Sequence, residues 1–189
     1  MYRTDFFTVE TNWGWVAVAG NRGTVTRLLF GYESEAAALD ALACDTHVGG
    51  AVRDGRERCW DVSLADRITA FAAGVPVEFD DVEVDTSDFT PFGQRVVKKC
   101  RRIAYGQTLS YGQLARVAGR PRAARAVGNV MAQNRVPLIV PCHRVIASGG
   151  QLGGYGAAAG LETKRMLLEL EGSLPAAKAV TLAFPLQTS

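Results

Sequence analysis

The chain has 189 residues, 48% of them hydrophobic and 21% charged, the balance of a globular protein with room for one large domain or two small ones. No run of about 20 apolar residues occurs, which excludes a membrane-spanning helix, and Met1-Tyr2-Arg3-Thr4-Asp5 lacks the basic-then-apolar layout of a secretory signal, so a cytoplasmic location is expected. The net charge of +2 conceals a division: residues 1–88 carry 7 basic against 16 acidic side chains, and residues 89–189 carry 14 against 3. A second half this basic should attract a polyanion.

In chain order, Trp13–Val18 and Thr24–Phe30 are β-rich runs joined by Gly20-Asn21-Arg22-Gly23, the pattern of a hairpin. Ser34 caps an alanine-rich helix reaching about Ala43, and a second helix runs from Ser63 through Leu64, Ile68 and Phe71 to a stop at Gly74. Residues 75–90 are acidic and irregular, with a short strand at Val82–Val84, and read as a linker. Four cysteines (Cys44, Cys59, Cys100, Cys142) are too few and too scattered for a disulfide framework. Cys44 and His47 have the spacing of half a zinc site, but no second ligand pair follows; no metal and no cofactor are expected.

The second half is mostly helical. Thr90-Pro91 is a cap with proline at the first helical position, after which Phe92, Val96, Val97, Cys100 and Ile103 recur at helical spacing among arginines and lysines. Ser110-Tyr111-Gly112-Gln113 has the form of a capping box and opens a short helix that Gly119 ends. Pro121 starts the next helix, from Arg122 to about Met131; two short helices about a glycine-containing turn suit a helix-turn-helix. On the second of them Ala123, Ala124, Ala126 and Gly128 leave almost no side-chain bulk while Arg125 projects alone. That surface suits close helix packing or the close approach of a nucleic-acid groove equally.

Val136-Pro137-Leu138-Ile139-Val140-Pro141-Cys142-His143-Arg144-Val145 is apolar enough to be buried, yet its two prolines forbid a central strand. A cysteine beside histidine and arginine in a rigid, proline-flanked segment is a candidate nucleophile with a stabilised thiolate.

Pro141-Cys142-His143-Arg144-Val145 resembles the signature of the O6-alkylguanine-DNA alkyltransferases, the methylated-DNA–protein-cysteine methyltransferases. The similarity extends in the family's order from Thr90-Pro91-Phe92 through Ser110-Tyr111-Gly112, Ala123–Gly128, Asn134, the cysteine motif, Gly154-Tyr155-Gly156 and Leu161 to Glu171-Gly172. The first half resembles the family only in its strand and helix layout. The resemblance implies stoichiometric transfer of an alkyl group from O6-alkylguanine, with O4-alkylthymine as a second substrate, in double-stranded DNA to Cys142, without turnover. It also implies the roles. His143 takes the thiol proton through a water, and Glu171 orients His143. Tyr111 donates a proton to the departing guanine, and Asn134 braces the turn before the cysteine. Arg125 replaces the extruded nucleotide, with Ala123, Ala124, Ala126 and Gly128 against the minor groove. The Val145 backbone reads the guanine amino group, while Tyr155 and Gly156 line the pocket.

The chain departs from the family in a longer Gly156–Gly160 loop, in Gly156 where serine is common, and in Asn129 where a small residue is usual. A non-catalytic alkylated-DNA recognition protein is the alternative; such relatives lack the cysteine. A cysteine hydrolase or a transcription factor leaves either Arg125 or Cys142 without purpose. The expected architecture is α+β: residues 1–88 a small antiparallel sheet with helices giving support, residues 89–175 a helical alkyltransferase and DNA-binding domain, and residues 176–189 a tail, acting as a monomer.

Overall fold

The structure is a computed structural model that describes residues 4–46, 48, 56, 57, 59–153 and 160–174. The chain divides into two compact units, the first running to Asp85 and the second starting at Thr86. Among the described residues no helix is long and apolar enough to cross a membrane.

The first unit is built on strands β1 (Asp5–Thr11), β2 (Gly14–Asn21) and β3 (Thr24–Tyr32), which form an antiparallel meander. A two-residue strand β4 (Arg56–Glu57) pairs parallel to β1, giving the order β3-β2-β1-β4. The expected hairpin is present: Asn21 pairs with Thr24 around Arg22-Gly23, both at positive φ (52° and 86°), as a twist-matched two-residue turn requires. Strand β1 was not anticipated, and it makes β2 central. Neighbours on both edges, with a helix on one face and an aromatic cluster on the other, account for its unbroken burial from Val16 to Gly20. Ala17 and Ala19 leave room for helix α1 (Glu35–Cys44), which packs through Ala38 and Leu42 and is capped by Ser34. The opposite face carries Phe7, Leu28 and Phe30 into an aromatic cluster with Trp13, Trp60, Phe71 and Phe79. Phe71 comes from helix α2 (Val62–Ala72), whose cap is Asp61, the side chain accepting from Leu64 N–H. Val84, inside the irregular acidic stretch, makes a single bridge to Val25.

In the second unit, helix α3 (Pro91–Cys100) starts where Thr90-Pro91 predicts, with the Thr90 hydroxyl accepting from Gly93 N–H. Phe92, Val96, Val97, Cys100 and Ile103 are buried as one stripe. Strand β5 (Leu109–Ser110) leads into helix α4 (Tyr111–Val117), and helix α5 (Ala124–Ala132) packs against α4. Here one expectation is corrected: Pro121 does not open α5. It occupies a turn closed by Ala123 N–H to the Arg120 carbonyl (3.0 Å), and Ala123 is the capping position, not a helical residue. Proline fits the second position of such a turn as well as it fits a helix start. A 3-10 turn (Cys142–Arg144) precedes β6 (Val145–Ile146), which pairs parallel with β5, and helix α6 (Gly160–Leu170) closes the unit.

The capping box of α4 is complete: Gln113 N–H donates to the Ser110 hydroxyl (3.1 Å), and Ser110 N–H donates to the Gln113 side chain (2.7 Å). Replacing Ser110 with alanine removes one half of it and should lower stability by about 1 kcal/mol in urea denaturation, whereas Ser110→Asp retains an acceptor and most of the stability. An alanine variant as stable as wild type would mean the box does not hold the helix.

Candidate functional site

The described site residues all lie in the second unit, and local backbone devices put each one in position. The capping box fixes Tyr111 as the first residue of α4. Pro141, at φ −77° and ψ 65°, is the centre of an inverse γ-turn closed by Cys142 N–H to the Val140 carbonyl (2.7 Å). At the far end of the chain, Glu171 caps α6 within a Schellman motif: Gly172 N–H bonds the Glu169 carbonyl and Ser173 N–H the Leu168 carbonyl. Gly172 is at φ 71°, the left-handed conformation the motif demands.

Between α5 and the cysteine, Leu138 is 1% exposed at φ 70°. Such a conformation costs a bulky residue on the order of 1–3 kcal/mol and persists only where its surroundings enforce it. Asn134 supplies part of that enforcement. Its Oδ1 accepts from Val136 N–H (3.1 Å) and its Nδ2 donates to the Val140 carbonyl (2.8 Å), clamping the turn at both ends. The same amide donates to Cys142 Sγ at 3.0 Å.

Cys142 is 6% exposed and lines a cavity of about 680 Å³. Tyr111, Arg125, Gly128 and Met131 line it too, with Ala147 and Ser148 at the segment following the cysteine motif. Arg125 is exposed on α5, and a Cβ built on Gly128 would meet nothing within 4 Å, so that face is open. Tyr111 is held from the other side by Gly153, where a Cβ would fall 2.9 Å from the ring. Burial, with Cys142 adding to it, raises the Tyr111 phenol above its usual value, so it stays protonated.

Behind Cys142 lies a buried polar relay. His143 Nε2 meets Glu171 Oε1 at 2.8 Å, with both side chains fully buried. Arg144 donates to both carboxylate oxygens through Nε (3.1 and 3.0 Å), to Oε1 through Nη2 (2.9 Å), and to the Ile103 carbonyl through Nη1 (2.5 Å). Gly106 N–H donates to Oε2 (3.1 Å). Burial works to raise the Glu171 carboxyl, but the hydrogen bonds and charges of His143 and Arg144 outweigh it and hold the group below its usual range. Burial pushes His143 the other way, below its usual value, with Glu171 opposing. The outcome is a neutral imidazole against an ionised carboxylate. With Nε2 donating to Glu171, the acceptor lone pair of the ring lies on Nδ1.

The structure brings together Cys142, His143, Glu171, Asn134 and Tyr111, with Ala124, Arg125 and Gly128 along the same cavity. Ala126 is exposed on α5. The Val145 carbonyl accepts from Lys164 Nζ at 2.5 Å, a contact not foreseen. Tyr155, Gly156 and the loop before Gly160 lie outside the described residues, as do His47 and the tail. Lys164 is the residue that pattern reading missed. Its signal was present: Thr163, Lys164, Leu167 and Leu168 are the buried stripe of α6, and a lysine on an apolar stripe is out of place.

Residues 91–173 match the family profile described as 6-O-methylguanine DNA methyltransferase, DNA binding domain. The chain is 51% identical over 108 residues to the methylated-DNA–protein-cysteine methyltransferase of Mycobacterium tuberculosis; that match spans 57% of this chain and 63% of the relative, less than two thirds of its length. Two solved structures extend the likeness. The O6-methylguanine methyltransferase of M. tuberculosis is 35% identical with a TM-score of 0.70, over 92% of this chain and 96% of that one. M. tuberculosis OGT in complex with DNA is 36% identical with a TM-score of 0.70, over 89% and 93%. Because these likenesses run through both halves of the fold and not the cysteine motif alone, the chain belongs to the O6-methylguanine DNA methyltransferase family.

Proposed function

We propose that the protein repairs alkylated DNA directly, moving the alkyl group from guanine O6, and from thymine O4, in a duplex onto Cys142 Sγ, once per molecule. The observation that carries this reading is a buried thiol on an open cavity, hydrogen-bonded by Asn134 and backed by the His143–Glu171–Arg144 relay. In the reaction His143 accepts the thiol proton at Nδ1 through a water, while Glu171 stabilises the imidazolium that forms. The thiolate attacks the alkyl carbon in line; the S–C bond forms as the C–O6 bond breaks, and the electron pair passes into the guanine ring. Tyr111, kept protonated, donates to that ring. The thioether has no good leaving group, so the protein is spent.

A stacked base cannot reach Cys142, so the nucleotide must leave the duplex. Arg125 on the open face of α5 is the side chain to fill the gap, and the bare surface of Ala124, Ala126 and Gly128 suits the narrow minor groove. The Val145 carbonyl reads the guanine amino group. The basic second half supplies phosphate contacts without sequence preference. Residues 1–88 act as support, and the protein works as a cytoplasmic monomer without metal or cofactor.

Intact-mass measurement after incubation with a duplex carrying one O6-methylguanine tests the reading. Wild-type protein should gain the mass of one methyl group in exchange for hydrogen, mapped to Cys142, and Cys142→Ala should gain nothing. Tight binding without any gain would leave a recognition protein in its place.

Arg125→Ala should slow transfer from duplex DNA on the order of 100-fold, the equivalent of about 2–3 kcal/mol of unstacking no longer offset. Transfer from a free alkylated nucleobase should be unaffected, because no base has to be extruded. Equal slowing on both substrates would place Arg125 in the chemistry instead.

The relay also sets the acid sensitivity. His143 is held below its ordinary value of 6.5 when folded, so below that pH the unfolded chain binds a proton the folded chain refuses, and stability falls. Glu171 is held below its ordinary 4.5, so its contribution, complete above that pH, is lost as the pH drops further. Thermal midpoints should therefore decline from neutral pH downward. His143→Gln, which keeps an N–H for Glu171, should flatten the part of the decline that begins below about pH 6.5. A variant with the wild-type slope would rule out His143 as its source.

A further inference from the structure

Asn129 has no part in the chemistry above, yet its place on α5 sets it apart. Of the nine residues of that helix only Arg125 and Asn129 are polar. Both are exposed, and at i and i+4 they share one face. Around them Ala126 and Gly128 leave the surface almost bare, and a Cβ on Gly128 would meet nothing within 4 Å. Among the described residues the Asn129 side chain makes no hydrogen bond. Asparagine is also a poorer helix former than alanine, because its amide competes with the backbone. Its presence in α5 therefore carries a cost that no contact within the chain offsets.

The cavity gives the second observation. Arg125, Gly128 and Ala132, the helical neighbours of Asn129 at i−4, i−1 and i+3, line the space around Cys142, and Asn129 does not. Its amide stands just outside the rim of the cavity that takes the extruded base, on the surface that the rest of the duplex would cover. With Arg125 filling the gap in the stack, the register of α5 on the duplex is fixed. Four residues of helix advance about 6 Å, and one base pair about 3.4 Å. Asn129 therefore falls within about two base pairs of the lesion.

In the minor groove every base pair presents acceptors, N3 or O2, and only a G·C pair adds a donor, the guanine 2-amino group. A side-chain amide carries both an acceptor and N–H donors. Against guanine it makes two bonds at once, Oδ1 accepting from the amino group and Nδ2 donating to N3. Against an A·T pair Oδ1 gives up its water and gains no donor. We propose that Asn129 is a specificity residue that reads the base pairs flanking the lesion, biasing repair toward an alkylated guanine with a G·C pair within two positions. This rests on the repair reading and on Arg125 as the side chain that fills the gap.

The test is a competition between two labelled duplexes for a limiting amount of protein. Each carries one O6-methylguanine; the flanking pairs are guanine–cytosine in one and hypoxanthine–cytosine in the other. Hypoxanthine lacks the 2-amino group, but it also weakens the pair and so eases extrusion. Each preference is therefore measured in the wild type and in Asn129→Ala, an exposed change to a better helix former that leaves the fold intact. The preference for guanine flanks over hypoxanthine flanks should be about tenfold greater in the wild type than in the variant. Substituting one flanking position at a time then locates the pair that is read. Equal preferences in the two proteins, with transfer proceeding in both, would overturn the role of Asn129 alone. Absence of transfer from either duplex in the wild-type protein would overturn the repair reading, and this inference with it.

Discussion

The carboxylate of Glu171 is the constraint on which the site depends. A buried anion is tolerable only when nearly every lone pair is satisfied. Glu171 meets that condition by accepting from His143, from Arg144 at both oxygens and from the Gly106 backbone. Those donors come from the 3-10 turn and from the segment after α3, while Glu171 itself ends α6. One side chain thus ties three pieces of backbone, far apart in sequence, around the imidazole that must act as a base. Arg144 does more than neutralise it. The guanidinium fork fixes the plane of the carboxylate, and the carboxylate in turn fixes the tautomer and direction of His143.

Around that centre the chain uses strong local signals to deliver reactive groups. Tyr111 is the first helical residue within a capping box, Cys142 follows a proline-centred γ-turn, and Glu171 occupies the cap of a Schellman motif. Each is a place where backbone geometry is set by a few neighbouring residues rather than by distant packing. Ser110 with Gln113 and Pro141 before Cys142 are visible in the string of letters, whereas the roles of Tyr111, Asn134 and Glu171 came from the resemblance to the family. The strain at Leu138 is not visible there, because nothing in Val136–Val140 distinguishes a left-handed leucine from a buried extended one.

The misreadings have the same physical origin. Pro121 satisfies the rules for a helix start and for the second position of a turn, and only the hydrogen bond from Ala123 to Arg120 decides between them. Strand β1, with Phe6 and Phe7 adjacent and polar residues irregularly spaced, alternates too weakly to be read alone; it is specified by its partner β2. Lys164 was passed over because a single charge in an amphipathic helix is usually a tolerated edge residue. Its meaning comes from tertiary neighbours, Val145 and Tyr111, nineteen and fifty-three positions away.

The charges also bear on what the proposed reaction leaves behind. With His143 neutral, the buried ions described sum to an excess of one positive charge, and a thiolate at Cys142 removes that excess. Asn134, whose amide already braces the turn, donates its N–H to the same sulfur and is better satisfied by an anion than by a neutral acceptor. Alkylation ends both benefits: a thioether carries no charge and is a weak acceptor. The groups that prepare the thiolate are thus best satisfied before transfer and less so after it. That loss opposes transfer, so the direction is set by the bonds exchanged: a stable thioether replaces the C–O bond of the lesion, and nothing in the relay can reactivate that thioether.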